Sequence, residues 1–111
     1  MSEYLPNNWV VLRIVNPKET YYKVLAGWSG GYTTGDSWKM NSGVTEVKED
    51  DNYYYFYGYS GSVYKCNKDS ECLRMNNSHI YSQLKENYGD RIEVVDAKDM
   101  KQNEMLNKLE K

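Results

Sequence analysis

Apolar and polar residues alternate through much of the chain before residue 70, with the period of two that is typical of β-strands. In Asn8–Val15 and again in Thr20–Trp28, every second residue falls on one largely apolar face. The intervening Asn16–Glu19 is rich in turn-forming residues, and its Pro17 has no backbone N–H to donate to a sheet. We therefore expect the first two strands to pair as a hairpin.

Further strands follow at short intervals, separated by glycine, serine, asparagine and aspartate. They are predicted over Ser37–Met40, Val44–Lys48, Tyr53–Tyr59 and Ser62–Cys66, with a short one near Cys72–Met75. Because the connections are short, successive strands are expected to run antiparallel.

The hydrophobic period then changes from two to about four. Ile80, Leu84 and Tyr88 share one face of a predicted helix. Asn77 or Ser78 is a suitable residue to cap its start. Gly89, which comes next in the chain, is a typical helix stop.

A last strand is predicted over Arg91–Val95, and Asp96 can cap a C-terminal helix over residues 97–110. The expected fold class is therefore α+β. It consists of an antiparallel β-meander of about five to seven strands, followed by a helix, a strand and a C-terminal helix. The apolar stripe of that last helix could dock on the sheet or pair two copies as a homodimer; it comprises Met100, Met105, Leu106 and Leu109.

Length and charge limit what the protein can be. A chain of 111 residues fits one domain, with an ordered core expected over residues 8–96. The net charge of −2 and a pI of about 5.4 lack the basic excess of a protein that binds duplex nucleic acid. No apolar run approaches the ~20 residues that span a bilayer, so no membrane partner is expected. Because Met1–Tyr4 lacks the features of an export signal, a cytoplasmic location is predicted.

Tyrosine is the most unusual feature of the composition, with 12 tyrosines against one phenylalanine. Five of the 12 lie in the seven residues 53–59, and four share one face of the predicted strand: Tyr53, Tyr55, Tyr57 and Tyr59. Phe56 lies on the other face and has no polar end, so its face is the expected core. The tyrosines then either form a recognition surface or lie beneath a helix.

A glycine-rich segment, residues 29–36, joins Trp28 to Trp38. It is interpreted as a flexible connection that could form the rim of a binding surface together with Tyr32. A phosphate cradle is the alternative, with Lys39 or Arg74 as the cation. The segment lacks the lysine that ends a P-loop.

Cys66, Cys72 and His79 are the only cluster of soft ligands. They supply three metal ligands, whereas a structural zinc site needs four. A nucleophile and base drawn from them would lack a third, orienting group. No metal, no cofactor and no catalytic residue is therefore predicted.

Two segments of the chain resemble each other. Each runs glycine, aromatic, serine, glycine, beginning at Gly27 and at Gly58, and then continues with Asp-Ser and a basic-Met-Asn run. They are either a duplicated strand–turn–strand unit or a chance similarity of turn residues.

Three segments also resemble a known group of proteins: Trp28–Tyr32 (WSGGY), Gly35–Gly43 (GDSWKMNSG) and Ser60–Tyr64 (SGSVY). The group comprises small uncharacterised proteins of tailed phages and bacterial mobile elements, and the resemblance covers roughly Trp9 to Leu84. It implies an accessory protein that acts on a host or phage component inside the bacterial cell. It implies no catalytic residue.

These observations favour a non-enzymatic binding protein that engages a host protein, as an inhibitor or anti-defence factor. The candidate binding residues are Trp28, Tyr32, Trp38, Lys39, Tyr53, Tyr55, Tyr57, Tyr59 and Arg74. One alternative is a sponge for a small nucleotide. Another is a small enzyme that depends on cysteine and histidine.

Overall fold

The computed structural model describes residues 3–31 and 35–99. Within these ranges the chain forms eight strands and one long helix. The strands are β1 (Glu3–Tyr4), β2 (Asn8–Val15), β3 (Thr20–Gly31), β4 (Gly35–Met40), β5 (Val44–Glu49), β6 (Tyr53–Gly58), β7 (Val63–Asn67) and β8 (Ile92–Val95). The helix, α1, spans Met75–Tyr88, and short 3₁₀ turns occupy Lys68–Ser70 and Gly89–Arg91. The predicted α+β class is confirmed.

The strands form two sheets of four rather than one continuous meander. We call the sheet ordered β4-β3-β2-β8 the central sheet and the sheet ordered β1-β7-β6-β5 the outer sheet. Neighbouring strands are antiparallel except for β1 and β7, which pair in parallel. The predicted hairpin of β2 and β3 is confirmed, and Asn16 and Glu19 exchange backbone hydrogen bonds at its turn.

The two sheets and the helix pack as three layers. One face of the central sheet contributes Trp9, Val11, Val24 and Ala26 to a core shared with the outer sheet. Trp9 lies at its centre, with its ring centroid 5.4 Å from that of Phe56, and its indole N–H donates to the carbonyl of Asn67 at 2.7 Å. Because successive residues of a strand point to opposite faces, the other residues of β2 and β3 face α1. Those residues form a second core with Ile80 and Ile92.

The start of α1 is organised by Asn77, although not as the predicted cap. The helix begins at Met75, so Asn77 lies within its first turn. Its side-chain oxygen accepts hydrogen bonds from the backbone N–H of Arg74 at 2.9 Å and from the amide of Asn8 at 3.2 Å. Its amide donates to the carbonyl of Leu25 at 3.3 Å, which joins the helix to the central sheet. The predicted stop at Gly89 is confirmed by its φ of 59°.

Several local predictions need correction. Residues 72–75 are not a strand: Glu71 forms an isolated bridge to Trp9, and the helix follows. Residues 29–31 and 35–36 of the glycine-rich segment belong to β3 and β4 rather than to a loop. The two similar segments also adopt different structures, since Gly27 lies within β3 whereas Gly58 ends β6 and enters a turn. Chance similarity is the better interpretation.

The chain after β8 begins a helical turn at residues 97–99. Ala97 is fully buried in the core between the sheets, and its N–H donates to the Glu71 carboxylate at 2.8 Å. Partial burial raises the pKa of this carboxyl above its ordinary range. The remainder of the predicted C-terminal helix, including its apolar stripe, lies outside the described residues.

Candidate functional site

Strand β6 separates its aromatic residues onto two faces, as its alternation predicts. Tyr54, Phe56 and Gly58 are buried, and Phe56 is completely inaccessible in the core between the sheets. Tyr53, Tyr55 and Tyr57 point the other way and are partly exposed. Together with Lys48 on β5 and Lys65 on β7, these three tyrosines form what we call the tyrosine face.

Helix α1 does not cover the tyrosine face. The strands that it contacts most are β3, β4 and β8, all of them in the central sheet. Ile80, Leu84 and Tyr88 pack on the face of that sheet that is turned away from the outer sheet. Helix α1 is therefore not the element that would cover the tyrosines, and in the part of the chain that the structure describes their face is open.

The lysines hold the tyrosine rings in place. Lys48, Tyr55 and Lys65 lie directly opposite one another across three neighbouring strands. The Lys65 ammonium lies 4.5 Å from the ring centroid of Tyr53 and 5.9 Å from that of Tyr55. The Lys48 ammonium lies 5.6 Å from the ring centroid of Tyr57. Each ring thus has a cation at a distance at which cation–π attraction acts.

Asp50, at the tip of the β5–β6 hairpin, orients Tyr55. One carboxylate oxygen accepts the backbone N–H groups of Asn52 and Tyr53, and the other accepts the Tyr55 hydroxyl at 2.7 Å. This hydrogen bond raises the pKa of Tyr55 to about 12. Together with the two backbone N–H groups, it lowers the pKa of Asp50. Near neutral pH the phenol is therefore a protonated donor with a defined direction.

Tyr59 does not share the tyrosine face. Strand β6 ends at Gly58, and Tyr59 lies in the turn that follows, with 74 % of its surface exposed. Its backbone N–H donates to the carbonyl of Gly43, in the connection between the two sheets. Its side chain lines a separate depression together with residues of the β2–β3 hairpin.

The two tryptophans of the predicted rim are not brought together. In the β3–β4 ladder Trp28 is opposite Ser37 and Trp38 is opposite Gly27, so their side chains project from opposite faces of the central sheet. Trp28 packs against the core between the sheets and donates to the carbonyl of Leu5 at 3.0 Å. Trp38, which is 45 % exposed, lies on the face that α1 packs against. Tyr32 lies outside the described residues.

The two candidate cations for phosphate belong to different elements. Lys39 is on β4, and its ammonium lies 5.0 Å from the ring centroid of Tyr4. Arg74 precedes α1 and is exposed. No contact between their side chains is found within residues 3–31 and 35–99, so the predicted phosphate cradle gains no support.

Cys66 and His79 lie on opposite sides of the central sheet, whereas Cys72, in the segment before α1, is partly buried. Cys66 is completely buried between the two sheets, and burial raises the pKa of its thiol well above the ordinary value. His79 is on the exposed side of α1, which packs on the far face of the central sheet. Among the described residues, no group of three or more potential metal-binding side chains is found.

Lys48, Lys65 and Asp50 belong to the site but were not predicted from the sequence. The position of Lys48 could have been predicted, because the short loop between β5 and β6 sets a register in which Lys48 is opposite Tyr55. The short turn between β6 and β7 likewise sets a register in which Lys65 is opposite Tyr55 on its other side. The depression beside Tyr59 had no comparable signal, because its residues come from segments far apart in sequence.

Of the helices in the described ranges, none is long and apolar enough to span a bilayer. Comparison of the chain with family models, with curated proteins and with solved structures gives no match.

Proposed function

We propose that this chain is a non-enzymatic binding protein that engages a bacterial host protein through the tyrosine face. The observation that carries the proposal is a sheet face that is open within residues 3–31 and 35–99, on which Tyr53, Tyr55 and Tyr57 contact two lysines and an aspartate. The resemblance to proteins of phages and mobile elements supports a role inside the host cell, as an inhibitor or anti-defence factor.

The tyrosine face has the properties of a protein-binding surface. Tyrosine offers a large apolar ring and a hydroxyl, yet only two side-chain torsions have to be fixed on binding. Here the rings are already restrained by cation–π contacts and by the bond from Tyr55 to Asp50, which lowers the entropic cost of association. A partner would therefore meet a preorganised surface.

A nucleic acid suits this face less well. Its two lysines already contact tyrosine rings. Glu46 and Asp50 lie on β5 and at the hairpin tip beside them, and Glu46 is directly opposite Tyr57. Carboxylates in these positions repel phosphate, and the net charge of −2 adds to this repulsion.

The test is capture from bacterial lysate followed by mass spectrometry. A variant with Tyr53→Thr, Tyr55→Thr and Tyr57→Thr keeps strand-forming residues while removing all three rings. The matched control carries Trp38→Thr and Tyr59→Thr, which remove exposed aromatic rings outside the face. We expect the wild type and the control to capture the same protein and the face variant to lose it. Equal capture by a folded face variant would refute the proposal.

The enzyme alternative gains no support from Cys66. A completely buried thiol with a raised pKa is mostly protonated and shielded from substrate. The nucleotide alternative is favoured by one observation, the depression beside Tyr59.

A further inference from the structure

An open depression of about 330 Å³ lies between the β2–β3 hairpin and the connection from the central to the outer sheet. This volume is at the lower end of the range of about 300–1,000 Å³ for small-molecule sites. Its lining combines two aromatic rings, one cation, one carboxylate, an amide and a hydroxyl. The residues are Asn16, Glu19, Tyr21, Lys23, Ser42 and Tyr59.

The backbone around Tyr59 presents its exposed ring from a constrained position. The Tyr59 N–H donates to the carbonyl of Gly43 at 3.2 Å, and the next N–H, that of Ser60, donates to the Ser42 hydroxyl at 3.0 Å. Gly43 lies directly beneath the ring, since a Cβ added there would be 2.9 Å from two ring carbons. A ring that is fixed on one side and open on the other is suited to stacking against a flat ligand.

On the strand side of the depression, the two charged residues stand on either side of Tyr21. Glu19, Tyr21 and Lys23 are alternate residues, so they project to the same side of β3 and its turn. The rise per residue of a strand separates the Cα atoms of Glu19 and Lys23 by about 13 Å. The Lys23 ammonium lies 5.9 Å from the ring centroid of Tyr21. Over residues 3–31 and 35–99, neither Glu19 nor Lys23 takes part in an ion pair.

This order of groups matches a ligand with a donor edge, a flat centre and an anionic end. A carboxylate accepts two parallel N–H donors well, and the Watson–Crick edge of guanine presents two such donors side by side. The Watson–Crick edge of adenine instead presents an amino donor beside a ring-nitrogen acceptor. That acceptor would face a carboxylate oxygen, so adenine fits a carboxylate less well. An ammonium group such as that of Lys23 binds a phosphate.

We propose that this depression binds a guanine mononucleotide. The base stacks on Tyr59, its donor edge binds the Glu19 carboxylate, and the phosphate binds the Lys23 ammonium. Asn16 supplies a further amide near the base. This site is independent of the tyrosine face, so the two proposals stand or fall separately.

The test is a calorimetric titration of the full chain with GMP, AMP and guanosine. We expect GMP to bind about tenfold more tightly than AMP, because of Glu19, and than guanosine, because of Lys23. Tyr59→Ser, Glu19→Gln and Lys23→Met should each weaken GMP binding about tenfold. Tyr57→Ser, on the tyrosine face, is the matched control and should leave GMP affinity unchanged.

Three results would overturn the proposal. The first is the absence of saturable GMP binding by the wild type. The second is wild-type GMP affinity in a folded Tyr59→Ser variant, which would place the nucleotide elsewhere. The third is equal affinity for GMP and AMP, which would remove the assignment to guanine. Circular dichroism of each variant verifies that it is folded.

Discussion

Gly43 has a conformation and an environment that only glycine accommodates. Its φ is 136°, and a Cβ would lie 2.9 Å from the ring of Tyr59. Gly61 also has a positive φ, of 89°, but has no atom within 4 Å of an added Cβ. Substitutions at these two glycines therefore distinguish the effect of backbone strain, which both share, from the effect of the ring contact, which only Gly43 has.

We predict that Gly43→Ala lowers the free energy of unfolding by about 1–3 kcal/mol and shifts the NMR resonances of the Tyr59 ring. Gly61→Ala should cost about 1 kcal/mol and leave those resonances in place. Urea denaturation and aromatic NMR spectra measure both effects. Unchanged Tyr59 resonances in Gly43→Ala would show that Gly43 does not position the ring.

Asn77 is a buried polar residue whose hydrogen bonds hold α1 to the central sheet. Asn77→Ala removes the acceptor of the Arg74 N–H and the donor to the Leu25 carbonyl, and it leaves the Asn8 amide with one partner fewer. We predict a loss of about 2–3 kcal/mol in the free energy of unfolding.

Gln83→Ala is the matched control for this prediction, because Gln83 is an exposed residue of the same helix. Its effect should stay within about 0.5 kcal/mol. Equal denaturation midpoints for the two variants would mean that the Asn77 bonds do not stabilise the fold.

At the scale of elements, the β5–β6 hairpin and strand β7 each contain a tyrosine whose pKa is raised, for different reasons. The hydrogen bond to Asp50 raises the pKa of Tyr55 to about 12, whereas burial is the main cause of the pKa of about 12 at Tyr64. A phenol whose folded pKa is raised contributes stability below its unfolded pKa of 10.0, and this contribution is lost as the pH rises through about 12.

We predict that Asp50→Asn moves the pKa of Tyr55 down toward 10.0 and leaves Tyr64 at about 12. The amide cannot carry the charge that favours the protonated phenol, whereas the pKa of Tyr64, in the core between the sheets, is raised mainly by burial. NMR titration of the ring resonances measures both groups separately. A Tyr55 that still titrates near 12 would show that Asp50 is not the cause.

The elements themselves were largely predictable from the sequence, because their signals are local. The alternation in β2, β3 and β6, the turn at Asn16–Glu19 and the helix stop at Gly89 depend on neighbouring residues alone. The start of α1 was not predictable, because Asn77 bonds to Asn8 and Leu25, which are remote in sequence. The parallel pairing of β1 with β7 was not predictable either, because the two strands are remote in sequence.

The candidate site was predictable only in part. The alternation of side chains along a strand correctly predicted that Tyr53, Tyr55 and Tyr57 share one face. The same rule included Tyr59 wrongly, because the strand ends at Gly58. It could not reveal that Trp28 and Trp38 are one register position apart and therefore point in opposite directions.

At the scale of the whole molecule, the division of strands between two sheets determines which surface is open. The helix covers one face of the central sheet and the outer sheet covers the other. Within the described residues this leaves the far face of the outer sheet without a covering element, and that face contains the three tyrosines. No local pattern predicts this, since it depends on which sheet the helix packs against.

Binding of a protein partner by the tyrosine face can be measured by calorimetry with the captured partner. The wild type is compared with Tyr55→Thr, Tyr57→Thr and the control Tyr59→Thr. We predict that each face variant weakens the Kd by at least about tenfold while Tyr59→Thr stays within about twofold of the wild type. If Tyr55→Thr and Tyr57→Thr both fold and both bind with the wild-type Kd, the tyrosine face is not the binding surface.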